Sequence, residues 1–195
     1  MKKKDPLTQY KQRRDLTTSP EPQGKKIKES KKPIFVIQKH DASHLHYDFR
    51  LEIDGVLASW AVPKGPSTDP KQKRLAIRTD DHPMDYARFE GVIPEGHYGA
   101  GTVMVWDIGT YKNIKEKKGE PVPMNECLKN GQIEVWLEGK KLQGGYALIK
   151  MKQNNQWLLI KMKDKLADAR KNPVSTENKS ALTGKTLKQI EGSVK

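Results

Sequence analysis

Short apolar runs separated by Gly, Pro, Asn and Asp follow one another through residues 33–163. This pattern is typical of successive strands and tight turns, and no helical period sustained over three turns competes with it. The segment DHPMDYARFEG is predicted to contain one short helix. Many short antiparallel strands imply a sandwich or a closed barrel, which the pattern alone does not separate. The predicted strands are 34–40, 45–53, 56–62, 74–79, 102–108, 132–139, 145–151 and 156–163.

One predicted strand alternates strictly between apolar and polar residues over positions 45–54. Its apolar residues are Leu45, Tyr47, Phe49, Leu51 and Ile53, and its polar residues are His46, Asp48, Arg50, Glu52 and Asp54. Because successive side chains of a strand point to opposite faces, the first set should pack inward and the second should line one polar face. The dipeptide Asp54-Gly55 favours a type I′ turn, which would return residues 56–62 beside this strand.

The preceding strand carries Gln38 and His40 on a common face, and a tight connection would bring His40 beside His46 and Asp48. Two imidazoles and one carboxylate make an open three-ligand site that suits zinc or manganese and leaves room for water and a phosphate oxygen. Affinity alone would not select manganese. Two alternatives stay open at this point. The polar residues could form the solvated outer face of a sheet, and His44, which has the same parity, is a rival ligand.

Composition limits the class of protein and its partners. The formal net charge of +13 and the pI near 9.7 favour a polyanionic partner, either nucleic acid or an acidic membrane. No apolar run approaches the roughly 18 residues of a membrane span, and the basic N-terminus lacks the apolar stretch of a signal peptide, so we expect a cytoplasmic protein. Cys127 is the only cysteine, which excludes an intrachain disulfide and a thiolate zinc site.

Both ends of the chain are polar. Residues 1–32 contain few apolar side chains and many basic ones, and we predict that they form a basic arm. Residues 33–163 are predicted to be the folded domain. Residues 164–195 are predicted to be a polar, flexible tail with one helical turn near its beginning.

Further polar candidates follow the alternating strand, and each also has a structural explanation. Arg74 and Arg78 would be solvated unless they face the metal, and Tyr86 would be half-buried packing. His82, which precedes a proline, would cap a turn. The glycines around His97 lack the ending of a phosphate-binding loop. The candidates are Lys64, Arg74, Arg78, Asp80, His82, Tyr86 and His97.

Three stretches of the sequence together carry a family resemblance: QKHDASHLHYDFRLEIDGVLASWAVPKGPS, DDHPMDYARFEGVIPEGHYGAGTVMVWDIGTY and, upstream, RRDLTTSPEP. They closely resemble the 3′-phosphoesterase domain of bacterial DNA ligase D and its standalone relatives, over about residues 10–165, and we expect a standalone module. The resemblance implies a mainly β protein, a compact closed or nearly closed antiparallel β-barrel with one or two short helices. It also implies an open polar groove that holds a divalent metal, functionally manganese.

The resemblance further implies roles for individual residues. His40, His46 and Asp48 match metal ligands, and Arg50 and His82 match a phosphate-contacting catalytic pair. Tyr86 matches a residue needed for activity, and Asp80 stands where the family often has Glu. Arg14, Asp15 and Glu21 imply that residues 11–22 fold back over the site. The supporting or substrate-binding positions are Arg14, Asp15, Glu21, Gln38, Lys64 and Arg74.

The implied activity is the healing of DNA 3′ ends in two steps. The enzyme would first cut the diester that attaches a terminal 3′ ribonucleoside, and then remove the 3′ phosphate to leave a hydroxyl. Its substrates would be the 3′ ends of DNA or DNA/RNA primer-templates, and its partners a Ku-like protein and a separate ligase or polymerase. His82 would either contact the phosphate or protonate the leaving oxygen. The alternatives are a noncatalytic nucleic-acid-binding barrel and a recruiting subunit in end joining.

Overall fold

The computed structural model describes residues 5–24, 32–152 and 155–193, so parts of the predicted arm (1–4 and 25–31) and the last two residues lie outside it. Within the described ranges, no helix combines the length and apolarity needed to cross a membrane. The strands are β1 (Ile34–Asp41), β2 (Leu45–Ile53), β3 (Val56–Val62), β4 (Lys73–Arg78), β5 (Gly91–Ile93), β6 (Gly101–Asn113), β7 (Glu116–Lys117), β8 (Glu120–Pro121), β9 (Gln132–Gly139), β10 (Gln143–Lys150) and β11 (Gln156–Lys161). The helices are α1 (Thr8–Arg13), a 3₁₀ helix (Met84–Arg88), α2 (Met124–Asn130), α3 (Pro173–Thr176) and α4 (Leu187–Glu191).

Eight of the strands close into an antiparallel barrel in the order β1-β2-β3-β4-β11-β10-β9-β6, and β6 pairs back with β1. The predicted barrel is therefore confirmed, and the sandwich alternative is wrong. Each of the eight predicted runs corresponds to one barrel strand. The largest difference is in β6, which extends to Asn113 because one of its edges pairs with β1 while the other pairs first with β5 and then with β9.

The β2–β3 hairpin turns at the predicted dipeptide. Asp54 and Gly55 both have positive φ angles, 51° and 78°, as a type I′ turn requires. The resulting register sets Phe49 opposite Trp60 on the inner face of the barrel. On the outer face it sets Arg50 opposite Ser59. The turn therefore fixes which polar side chains of the two strands become neighbours.

Two apolar layers lie on opposite faces of the barrel wall, one inside the barrel and one outside it. The inner layer fills the barrel and includes Phe35 and Trp60. The outer layer includes Val36 and Leu57, and it is covered by Tyr10 from α1 and by residues of the 3₁₀ helix. Because this outer face is covered, a polar residue on it is not automatically solvated.

The segment after β11 packs against the barrel, in contrast to the flexible tail expected from its composition. The indole Nε1 of Trp106 donates to the carbonyl of Glu177 at 2.6 Å, and the backbone N–H of Ala181 donates to Val105 at 2.8 Å. Ile190, on α4, is only 5% exposed and joins the inner apolar layer. The apolar residues that make these contacts are too widely spaced to produce a periodic pattern, so composition suggested a tail.

Ile190→Ala should lower the free energy of unfolding by about 2–4 kcal/mol, because it removes a buried side chain from the core. Denaturant unfolding with Lys188→Ala as the control would measure this, since Lys188 is exposed on the same helix. If both variants are as stable as the parent protein, the segment does not pack as described.

Candidate metal centre and phosphate pocket

The β1–β2 hairpin brings the three predicted metal ligands together on the outer face of the barrel. Its register sets His40 directly opposite His46, and Gln38 opposite Asp48. The carboxylate of Asp48 lies 3.6 Å from His40 Nδ1 and 3.7 Å from His46 Nε2. Candidate ligand atoms of the three residues all lie within 4.8 Å of one another. This separation allows one cation to contact all three side chains.

Hydrogen bonds around this cluster leave ring nitrogens available for a metal. His46 Nδ1 lies 2.9 Å from the carbonyl of His44, which can only accept, so Nδ1 carries a proton and Nε2, beside Asp48, is the nitrogen that can bind a metal. His44 is itself exposed and contributes its backbone carbonyl, not its ring. The buried Nε2 of His40 has no hydrogen-bond partner among the described residues. This unmet nitrogen and the mixed imidazole and carboxylate donors fit a divalent transition metal.

Asp48 is buried, 7% exposed, yet it is suited to remain ionised. Burial alone would raise its pKa, but the guanidinium of Arg50, 3.2 Å away, and the two imidazoles outweigh burial and lower the pKa. An anionic carboxylate is the form that binds a cation. The solvated outer face considered from sequence is therefore wrong for Asp48, and for Arg50, which is 3% exposed.

Arg50 is held by partners on three strands. Its Nε donates to Gln38 Oε1 at 2.8 Å, and its Nη1 donates to Ser59 Oγ at 2.8 Å. The amide nitrogen of Gln38 in turn donates to the carbonyl of Tyr86 at 3.0 Å, which fixes the orientation of that amide. With Nη2 on Asp48, the guanidinium plane is set by its surroundings. A fixed fork of this kind suits a tetrahedral oxyanion.

His82 is enclosed between two guanidinium groups. Its Nε2 lies 3.1 Å from Arg14 Nη2, which can only donate, so Nε2 accepts and the proton resides on Nδ1. Nδ1 lies 2.9 Å from the carbonyl of Asp80, which can only accept and takes its proton, and also 2.9 Å from Nη1 of Arg50, which donates to Ser59 Oγ at 2.8 Å. Burial, followed by the charges of Arg50 and Arg14, lowers the pKa of His82 well below its usual value. His82 is therefore a neutral acceptor in this arrangement.

The N-terminal segment covers the site through a buried ion pair. Arg14 Nε donates to Glu21 Oε1 at 2.9 Å, and both side chains are almost completely buried. The guanidinium of Arg14 also lies 4.2 Å from the ring centroid of Tyr10, whose hydroxyl donates to the carbonyl of Pro22 at 2.7 Å. These contacts position residues 10–22 over the outer face of the barrel.

Tyr86 links the covering segment to the barrel. Its hydroxyl donates to Glu21 Oε1 at 3.1 Å, and its ring lies 4.7 Å from the ring of His82. Burial, followed by the charge of Glu21, raises the pKa of Tyr86 well above its usual value, so the hydroxyl keeps its proton. Tyr86 thus contacts both Glu21 and His82.

Three of the supporting residues do not join this cluster. Asp15 is exposed, and its carboxylate accepts from the backbone N–H of Thr17 at 3.0 Å, which shapes the turn after α1. Lys64 and Arg74 line a separate cavity with Lys73. Among the weaker candidates, neither Arg78 nor His97 lines the site. Arg78 binds the carboxylate of Asp81 and the carbonyl of Ser59.

The site itself is a cavity of about 290 Å³. Its lining contains the metal cluster, Arg14, Glu21, Arg50, Asp80, His82 and Tyr86. Sequence reasoning missed Ser59, Thr79, Tyr98 and Arg13. Ser59 had a signal, because it is the one hydroxyl in an apolar strand and lies opposite Arg50. Thr79 directly follows β4, Tyr98 lies on a loop and Arg13 ends α1, and their approach to the site depends on tertiary packing.

The stability of the metal-free protein should fall as the pH drops from 7 to 5. His82 resists protonation in the folded state, whereas the unfolded chain binds that proton near its ordinary pKa of 6.5, so acid favours unfolding. His82→Asn should reduce the slope by up to about 1.4 kcal/mol per pH unit, measured by denaturant unfolding at each pH. His44→Asn, at an exposed position, should leave it unchanged. Equal slopes in all three proteins would contradict the buried neutral imidazole.

Comparison with known proteins agrees with this geometry. Residues 38–150 match the family model described as the DNA ligase D 3′-phosphoesterase domain. The multifunctional non-homologous end joining protein LigD of Pseudomonas aeruginosa is 48% identical over 164 residues, and that of Mycolicibacterium smegmatis is 47% identical over 161 residues. The non-homologous end joining DNA repair protein LigD of Mycobacterium tuberculosis is 43% identical over 166 residues.

Each of these alignments covers 82% of this chain but only 19%, 21% and 20% of the respective relatives. The chain therefore spans about a fifth of the length of the curated relatives that it matches. The matched region contains the metal cluster, Arg50, His82 and Tyr86. On the extent of this match, the chain belongs to the DNA ligase D 3′-phosphoesterase domain family.

Proposed function

We propose that this protein is a metal-dependent phosphoesterase that heals DNA 3′ ends during end-joining repair. It removes a terminal 3′ ribonucleoside by diester cleavage and then removes the 3′ phosphate to leave a hydroxyl. The observation that carries the proposal is the cluster of His40, His46 and Asp48 beside the buried guanidinium of Arg50 in one cavity. Membership of a phosphoesterase family supports the class of reaction.

Manganese is the proposed cofactor, and zinc or another divalent transition metal also suits the ligands. When bound, the cation supplies Lewis-acid chemistry at a phosphate oxygen. His40, His46 and Asp48 would hold it. The hydrogen bond from His46 to the carbonyl of His44 presets one ring for this task, because it fixes the tautomer.

Arg50 is proposed to grip the phosphate as negative charge develops on its oxygens. The guanidinium is already oriented by Gln38, Ser59 and Asp48, so little reorganisation is needed when the substrate binds. Arg14, which is paired with Glu21, lines the same cavity. The covering segment keeps bulk water away from these groups, which strengthens their interactions with an anion.

His82 is proposed to position the two guanidinium groups, and not to act as the general acid. Its Nε2 accepts from Arg14 and its Nδ1 proton is donated to the carbonyl of Asp80, so no proton is directed at a leaving oxygen. The lowered pKa of His82 also keeps the ring neutral, so it carries no second proton that it could give to a leaving oxygen. Of the two roles considered from sequence, this arrangement favours the role at the phosphate, which His82 would serve by positioning the two guanidinium groups.

The proposed substrate is the 3′ end of DNA or of a DNA/RNA primer-template. The net charge of +13 favours contacts with phosphates that do not depend on sequence, so binding should weaken as salt rises. Lys64 and Arg74, in their own cavity, are proposed to contact the nucleic-acid backbone beyond the reacting end. A Ku-like protein and a separate ligase or polymerase are the proposed partners, in the cytoplasm.

A primer with a single 3′ ribonucleotide, incubated with manganese, should first lose the ribonucleoside and then the 3′ phosphate. His40→Ala should lower the rate by more than the factor of about 100 that is typical when a residue supporting a metal ligand is lost. His44→Ala is the matched control, since this exposed ring lies outside the cluster. Sequencing gels measure the rate of product formation for both variants.

Chelation of the metal should abolish turnover of the primer by the wild-type protein. Activity that survives chelation, or His40→Ala turnover equal to that of wild type, would contradict the proposed metal centre. Tight primer binding without any processing by the wild-type protein would instead favour a noncatalytic nucleic-acid-binding barrel.

Arg50→Lys should lower kcat on a 3′-phosphate primer by about 10²–10³, although the charge is retained. A lysine ammonium does not reproduce the planar fork that meets Gln38, Ser59 and Asp48 together. Arg78→Lys serves as the control, because Arg78 does not line the cavity. Thermal unfolding of both variants separates a lost contact from a lost fold, and an unchanged kcat in a folded Arg50→Lys would show that charge alone suffices.

A further inference from the structure

Tyr98 is an aromatic residue of the cavity to which the proposed chemistry gives no role. Its side chain lines the cavity and is 48% exposed. The other tyrosine of the lining, Tyr86, is 3% exposed, and its ring is occupied by neighbouring side chains. A tyrosine ring that is about half exposed at a charged cavity has an apolar face free to stack on a ligand.

The loop that carries Tyr98 rests against the metal cluster. A Cβ atom built on the next residue, Gly99, would lie 3.9 Å from Cε1 of His40. Gly96 and Gly99 have φ angles of +86° and +80°, which side chains rarely adopt, so the loop turns tightly on both sides of the tyrosine. The ring therefore stands at the rim of the cavity, close to where the phosphate would be held.

Arginines of the covering segment fix the ring without burying it. Arg13 Nη1 donates to the Tyr98 hydroxyl at 3.2 Å and to Asp80 Oδ2 at 3.3 Å. The guanidinium carbons of Arg13 and Arg14 lie 5.4 and 5.1 Å from the ring centroid, within range of a cation–π contact. An anchored, exposed ring loses little conformational entropy when a flat ligand stacks on it.

We propose that Tyr98 is the stacking platform for the 3′-terminal nucleoside of the substrate. This inference rests on the proposed function and defines the end that the site accepts: a nucleoside whose base is free to stack, attached to the phosphate at the metal cluster. Stacking on a tyrosine tolerates every base, because each base has a π face. The subsite therefore recognises the presence of a terminal base and not its identity.

A purely structural role for Tyr98 makes a different prediction. Its hydroxyl ties Arg13, and thereby the covering segment, to the loop. If the hydrogen bond to Arg13 were the whole contribution of Tyr98, removing only the hydroxyl would impair activity as much as removing the ring. Tyr98→Phe and Tyr98→Ala therefore distinguish the two roles.

The test compares KM and kcat on two primers, one ending in a 3′ ribonucleoside and the other in an abasic ribose. Tyr98→Ala should raise KM on the first primer about 10-fold and leave KM on the abasic primer unchanged. Tyr98→Phe, which keeps the ring, should have the KM of the wild-type protein on both primers. Ile149→Ala is the control, because Ile149 is an exposed apolar residue on β10 outside the cavity lining.

An unchanged KM in Tyr98→Ala, an equal loss on both primers, or a Tyr98→Phe as impaired as Tyr98→Ala would each overturn the proposal. Fluorescence of 2-aminopurine at the primer 3′ end provides a readout that needs no turnover: the wild-type protein should quench it on binding, and Tyr98→Ala should not. A wild-type protein that quenches but does not process the primer would refute the proposed function alone. A wild-type protein that processes the primer without quenching would refute only the stacking platform.

Discussion

The ion pair between Asp48 and Arg50 is the interaction on which the rest of the site depends. Both charges stand on the outer face of β2, where solvent would normally reach them, and both are nearly completely buried. Removing charges from water is costly unless they are paired and hydrogen-bonded on every side. Gln38 and Ser59 on the adjacent strands supply those hydrogen bonds. The pair thereby holds an anionic metal ligand and an oriented guanidinium at adjacent positions.

The covering segment follows from the same constraint. Residues 10–22 and the 3₁₀ helix form a second apolar layer over the outer face, anchored by the pair of Arg14 and Glu21. Tyr86, from this 3₁₀ helix, donates to Glu21 of the covering segment and packs against the ring of His82, so it joins the segment to the site. The burial that lowers the pKa of His82 thus arises from the layer that closes the site.

Much of the fold could be predicted from the sequence, because period-two alternation fixes which face each side chain occupies. Alternation placed His46, Asp48 and Arg50 on one face, turn residues marked the ends of the eight barrel strands and the Asp54-Gly55 turn, and a tight connection predicted the proximity of His40 to His46. Alternation predicts which face of the sheet a side chain occupies, but it does not predict whether another segment covers that face. It therefore left open whether Asp48 was solvated. The covering segment was expected only through the family resemblance, and the catalytic roles of the site residues stay predictions.

Contacts made through irregular segments could not be predicted in this way. Ile190 reaches the core from a polar segment, and Tyr98 reaches the cavity from a glycine-rich loop. Lys64, in the turn after β3, and Arg74, on β4, line a cavity of their own apart from the hairpin that forms the metal cluster. Such placements depend on tertiary packing, which a single sequence does not encode locally.

The most direct test of this account is a crystal structure of the protein grown with manganese, with anomalous diffraction recorded at the manganese edge. A strong anomalous peak is expected in contact with His40, His46 and Asp48, beside the guanidinium of Arg50. A peak bound by other residues, with these three side chains left without an ion, would contradict it.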